Sequence, residues 1–244
     1  MNFSYDDVVT RLDKTVDAVV NHKRQAVLAI GGVIFLILAV LGYQYYSNRS
    51  QMLAHKDFVE AVKYLDAPIV PSEKAIVNEN AMEFPTPEAK WKKIEEVFRT
   101  GYQNHRHSGI APMFRAYQAE ALLHLNKPEE ALTELDAAVK SMPSDALKDF
   151  YRLKLALLKI DMNRPELQKE GFADLKKIAE TSTNAANEAG LYYIGLYFWS
   201  QKDFAQTKNY WQQLMVKYGL KEGKDQSAFA ELAKAKLRLI SAEW

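Results

Sequence analysis

No charged residue occurs between Arg24 and Arg49, and the middle of that interval, Ala26 to Gly42, is built from Ala, Val, Leu, Ile, Gly and Phe alone. A helix apolar on every side has no face to turn toward water. A helix rises about 1.5 Å per residue, so roughly 20 apolar residues cross the hydrocarbon of a bilayer. The run reaches that length by continuing into Tyr43, Tyr45 and Tyr46, whose rings suit the membrane–water interface. The pattern predicts a single transmembrane helix over residues 25–46. A cleaved leader has a shorter apolar core and ends in a small-x-small site; bulky Tyr43-Gln44-Tyr45-Tyr46 stands where that site would be.

Residues 1–24 are predicted to form an amphipathic arm. Ser4 with Asp7 resembles a capping box, and Val8, Val9, Leu12, Val16, Val19 and Val20 recur at helical spacing. Lys23-Arg24 abuts the apolar run, with Lys14 and Arg11 behind, whereas the far side offers Arg49, then Lys56 and Lys63. The nearest positive charges place the arm in the cytoplasm and the rest of the chain across the membrane.

Beyond the span, composition excludes several classes of function. Cysteine is absent, so disulfide frameworks, thiolate zinc sites, cysteine nucleophiles and a lipid-bearing cysteine are excluded. The net charge of +1 gives no basic field for nucleic acid. No nucleophile elbow, phosphate-binding glycine loop or H-E-x-x-H occurs, and nothing argues for catalysis or a cofactor.

Periods near 3.6 dominate past the anchor, so the domain is predicted to be all-α. Residues 47–110 read as membrane-proximal helices, one through Met52, Phe58, Val59, Val62 and Leu65 and one through Trp91, Ile94, Val97, Phe98 and Tyr102. Between them a loop at 67–87 carries Pro68, Pro71, Pro85 and Pro87, with room for a short helix at Ser72 to Val77.

Residues 111–244 carry the organisation. From Pro112 to Pro143 the pattern fits a helix-turn-helix unit of about 34 residues. Ala119 lets a partner helix approach, Leu122 follows on the same face, and Asn126-Lys127-Pro128 makes the turn. Ala131, Leu135 and Ala138 form the inward stripe of the second helix. A looser copy lies 76 positions on, with Gly195, Phe198, Phe204, Trp211 and Leu214 at equivalent places and Thr207 matching Ala131. Between the copies lies a weaker pair, Leu147–Asp161 and Pro165–Thr181. A final helix, Ala228–Ile240, has one apolar face suited to closing a stacked array.

As a set, Ala119, Ala131, Leu135, Ala138 and Pro143 with Gly195, Phe198, Phe204 and Trp211 resemble tetratricopeptide repeats. The expected architecture is one N-terminal transmembrane helix followed by an α-solenoid of helical pairs with a C-terminal capping helix. The order of parts, with Ala119-Glu120, Leu125-Asn126-Lys127 and Glu130-Ala131-Leu132 as its most family-like stretch, resembles the YfgM family. Those are single-span ancillary subunits of the bacterial Sec translocon. The resemblance implies a non-enzymatic scaffold in the bacterial inner membrane, its C-terminal domain periplasmic. The partners it implies are translocon subunits, periplasmic chaperones such as the PpiD type, and emerging clients. The Pro-rich segment departs from that family's pattern. An envelope adaptor for cell-wall synthesis, division or outer-membrane assembly is the alternative.

Two readings remain open for the aromatic cluster Tyr192, Tyr193, Tyr197, Phe198, Trp199, Phe204, Tyr210, Trp211 and Tyr218. It is either core beneath the final helix or an exposed surface for gripping a partner, for which Tyr193, Tyr197, Tyr192 and Trp199 are the candidates. His105-x-His107 reads as a solvated loop rather than a metal site, and Glu120 and His124, one helical turn apart on one face, read as a surface or repeat-interface contact because a lone pair lacks the third ligand of a zinc site.

Overall fold

The structure is a computed structural model that describes residues 9, 23–70, 82–219 and 227–242, with side chains among them except at 23–30 and 241–242. The predicted helix of the 1–24 arm (Val9 apart) and the short helix at Ser72–Val77 lie outside the described residues. Those described form nine helices: α1 (Lys23–Lys63), α2 (Pro87–His105), α3 (Ala111–His124), α4 (Pro128–Ser141), α5 (Asp145–Asp161), α6 (Pro165–Glu180), α7 (Asn187–Ser200), α8 (Phe204–Tyr218) and α9 (Ala228–Ala242). An isolated parallel bridge, Ile69 with Phe84, is the one β feature among them.

The chain divides into two compact units, Met1–Leu53 and Ala54–Trp244. In the first, helical side chains from Val33 to Leu41 are largely exposed, Phe35 at 71% and Leu36 at 63%. Among the described residues no helix is long and apolar enough to cross a membrane. The predicted span begins at residues 25–30, whose side chains lie outside the described residues.

In the second unit each helix packs on the next, giving pairs α3/α4, α5/α6 and α7/α8 with α9 against the last. The end of α1 and α2 share a core with α3, so the predicted membrane-proximal segment belongs to this unit from Ala54 onward. Phe58, Phe98, Phe114 and Tyr117 interlock there, Phe58 meeting Phe114 edge-on at 5.2 Å and Phe98 stacking on Tyr117 at 5.0 Å. The two ends of the Pro-rich loop are pinned together, Val70 N–H donating to the Phe84 carbonyl at 2.9 Å and Phe84 N–H to that of Pro68 at 3.1 Å.

Local chemistry starts the helices where they start. Thr86 accepts from Ala89 N–H at 3.1 Å ahead of Pro87, and Asp203 accepts from Gln206 N–H at 3.0 Å. Pro128 and Pro165 occupy first-turn positions, followed by Glu129-Glu130 and Glu166 at the positive end of each helix.

The turns inside pairs one and three are the same motif. Asn126 and Lys202 both take left-handed backbone, at φ 58° and 61°. In the first, Lys127 N–H donates to the Leu122 carbonyl and Asn126 N–H to that of Leu123; in the second, Asp203 N–H donates to Phe198 and Lys202 N–H to Trp199. This is the Schellman closure of a helix C-terminus. The middle turn, Asn163-Arg164-Pro165, has no left-handed residue and closes instead with Arg164 N–H on the Met162 carbonyl at 2.6 Å.

Two continuous cores hold the pairs. Ala116, Ala119, Leu122, Ala131, Leu135 and Ala138 pack with Tyr151, Leu155 and Leu158 of α5, joining pairs one and two. Leu153, Ala156, Leu175 and Ile178 continue into Ile194, Trp211 and Leu214 and on to Ala230, Ala233 and Ile240 of α9.

Candidate functional site

The residues predicted to pack the repeats are almost all buried. Ala131, Ala138 and Trp211 have no exposure, and Ala119, Leu122 and Leu135 have at most 4%. Gly195 lies against the indole of Trp211, which occupies the space a Cβ there would need. Thr207 is fully buried, and its hydroxyl donates to the Asp203 carbonyl at 2.8 Å. Phe198 and Phe204 are half-buried.

The aromatic cluster is mostly core. Tyr192 is buried and stacks with Trp211 at 6.2 Å, with Phe229 of α9 at 5.4 Å on its other side. This corrects its candidacy as a partner-binding residue: the final helix covers it. Burial also raises the pKa of its phenol, with Tyr193 adding to the effect. Tyr193 meets Phe229 at 6.1 Å, and Tyr197 meets Phe172 of α6 at 4.6 Å, so each faces a neighbouring helix and is only half-exposed. Trp199 packs at 5.5 Å from Trp211 and 5.9 Å from Phe204, under the Lys236 ammonium at 5.4 Å. The cluster therefore joins pairs two and three to α9.

Of the histidines, His105 differs from its sequence reading. His105 ends α2, only 12% of its side chain exposed, and its Nε2 lies 2.7 Å from Asp57 Oδ2 on α1. It is a packed contact, not a solvated loop. Glu120 and His124 each make a contact between helices, though with different partners and not with one another: Trp91 stacks on His124 at 3.6 Å and Glu120 turns to Lys154 at 3.5 Å. Among the described residues no group of His, Asp and Glu could hold a metal ion.

One feature with room for a partner is a groove of about 750 Å³ between pairs one and two, at the edge where their turns lie. Ala116 and Ala119 of α3, Leu135 of α4, Leu158 of α5 and Met162 give it a buried apolar floor. Leu123, 41% exposed, and half-buried Leu157 stand as apolar residues open to solvent from α3 and α5. Two ion pairs cross from one helical pair to the other along its rim, Glu120–Lys154 at 3.5 Å and Glu129–Arg164 at 2.8 Å. Asp161 also lines the groove, and its carboxylate has neither ion pair nor side-chain hydrogen bond among the described residues. Asp161 is exposed, and partial desolvation at the groove edge raises its pKa.

The volume lies within the roughly 300–1,000 Å³ of ordinary ligand clefts, which join apolar walls to a few placed polar groups. A second crevice of about 660 Å³, between α4, α5 and α6, is lined mainly by charges that already neutralise one another, as in Lys140–Asp136 and Lys159–Asp174. The groove was not readable from sequence, because its walls come from residues some forty positions apart and its shape depends on how two helical pairs meet.

Fold and groove together define an all-helical stack of paired helices with a recess between two of the pairs. Comparison with family models, with curated proteins and with solved structures finds no match.

Proposed function

We propose that this chain is a membrane-anchored, non-enzymatic scaffold that holds a protein partner on a tetratricopeptide-repeat-like stack. In this reading it is an ancillary subunit of the bacterial Sec translocon, linking the channel to periplasmic chaperones or emerging clients. The observation that carries it is the apolar-floored groove between pairs one and two, a recess a polypeptide fits. Paired helices in series supply binding surfaces of this kind without chemistry of their own.

The uncharged run from residue 25 to 46 supports the anchor. Its described side chains are large, apolar and exposed, Val40 at 62% and Phe35 at 71%, an arrangement stable when lipid is the solvent. Tethering keeps the domain in a thin layer at the membrane and raises its effective concentration toward other membrane proteins, so weak pairwise contacts suffice. The YfgM-like order of parts supports the choice of translocon.

A photo-crosslinker placed at Leu123 in native membranes tests the reading. Covalent capture of translocon subunits or periplasmic chaperones is the expected result. Capture of cell-wall, division or outer-membrane assembly proteins instead would transfer the scaffold to the envelope-adaptor reading, and capture of cytosolic proteins alone would reverse the topology.

A further inference from the structure

A helix that only closes a stack needs one apolar face, with polar residues outward. α9 has two. Its inner face, Ala230, Ala233, Leu237 and Ile240, packs into the core with pair three. Opposite it stand Ala228, Leu232, Ala235 and Leu239, all exposed, Leu232 at 49% and Leu239 at 58%. Their spacing of four, three and four is that of the seam between two helices packed as a coiled coil, and no charged residue falls on it. Glu231 and Arg238, both exposed, flank the seam on one side, seven residues apart. Arg238 has no ion pair or side-chain hydrogen bond among the described residues, and the Glu231 carboxylate has only Lys234, at 3.8 Å.

We infer that the outer face of α9 is the contact between two copies of this chain, packed antiparallel about a twofold axis that falls between Ala233 and Lys234. That axis sets Ala228 against Leu239 of the second copy and Leu232 against its Ala235, so every layer of the seam joins one large residue to one small. It also brings Glu231 alongside Arg238 of the second copy, and Arg238 alongside its Glu231, so one symmetric arrangement satisfies both charges. A parallel pair would put alanine on alanine and leucine on leucine, alternating gaps with crowding. The seam is short and buries less than the roughly 1,200–2,000 Å² of a standard interface, so the dimer is weak and reversible. No groove residue takes part in it.

Sedimentation of the full chain in detergent over a concentration series, joined to cysteine crosslinking, tests this. The expected result is a monomer–dimer equilibrium. Leu232→Glu, at an exposed position, leaves the thermal midpoint unchanged and gives monomer throughout. Arg238→Glu weakens the dimer about tenfold, because both attractions become repulsions, and adding Glu231→Arg to it restores association to within about threefold. The chain has no cysteine, so introduced thiols report this geometry alone. Ala228→Cys combined with Leu239→Cys yields a disulfide-linked dimer, whereas neither substitution alone does, because like ends of the seam lie roughly 16 Å apart. Monomer at every concentration overturns the inference, whether the face is then bare, covered by another part of the chain or kept for a different protein. A dimer that Leu232→Glu leaves intact overturns it too, since the association then lies elsewhere. Crosslinks from the single-cysteine variants, or failure of the reversed charges to restore association, overturn the antiparallel packing on which it depends.

Discussion

The indole of Trp211 lies in the space that a side chain on Gly195 would fill, and its Nε1–H donates to the Tyr192 carbonyl at 3.0 Å. One absent Cβ thus lets α7 and α8 close around a fully buried tryptophan and completes its only polar requirement. Ala119 is the matching residue of pair one, opposite the smaller Leu135.

Gly195→Ala forces a methyl group against that ring. Overpacking of this kind costs about 1–3 kcal/mol, partly offset by about 1 kcal/mol of helix propensity. The expected outcome is a net loss of up to about 2 kcal/mol in chemical denaturation of the domain. Gly31→Ala, at a position with nothing within 4 Å, should cause no loss.

Asn187 sits where three helices meet and is 2% exposed. Its amide donates to the carbonyls of Ile178 and Ala179 at the end of α6, and its Oδ1 accepts from Lys217 Nζ at 2.6 Å and Tyr218 Oη at 2.8 Å on α8. Asn187→Leu keeps the volume but strips partners from buried groups on both sides. The expected loss is about 2–4 kcal/mol, since each orphaned buried polar group costs about 1–3 kcal/mol. Urea titration of the variant measures it.

Lys202 holds φ 61° without the freedom of glycine. Lys202→Gly should stabilise the domain by about 0.5–1 kcal/mol by relieving left-handed strain, and Lys202→Asn by less. Thermal melts of the two variants would show the order. Lys202→Val should lower the melting temperature, because a β-branched residue tolerates that backbone poorly.

Asp161 is predicted to work against folding. Its folded pKa stands above the ordinary 3.8 because partial desolvation penalises the charge. The native state therefore favours the protonated form, so the penalty is present at neutral pH and disappears as pH falls through the folded value toward 3.8. Asp161→Asn should leave stability at pH 7 unchanged or raised, and that difference should vanish near pH 3. Denaturant titrations at both pH values check the sign.

Pairs one and three were legible in the sequence because their small-large-small stripes and turns recur 76 positions apart. The middle pair reads more weakly for a geometric reason. Pro128, Pro165 and Phe204 open the second helices at intervals of 37 and 39, so a uniform period misaligns it, and its small contact residue is Ala156, with no exposure and its carbonyl against Gly171. The packing fate of the aromatic cluster turned on Phe229 and Phe172, which lie on other helices. Asn187 gave no sequence signal at all, since its four partners come from α6 and α8 and a lone asparagine after Ala186 reads as an ordinary turn residue.

Hydrogen exchange on the full chain with and without the partner captured at Leu123 tests the central claim most directly. The account predicts slowed exchange confined to Ala116–Asn126 of α3 and its turn and to Lys154–Arg164 of α5 and its turn, the walls of the groove. Protection confined instead to α9, where Leu232 and Leu239 are exposed at 49% and 58%, with the groove unchanged, would contradict it.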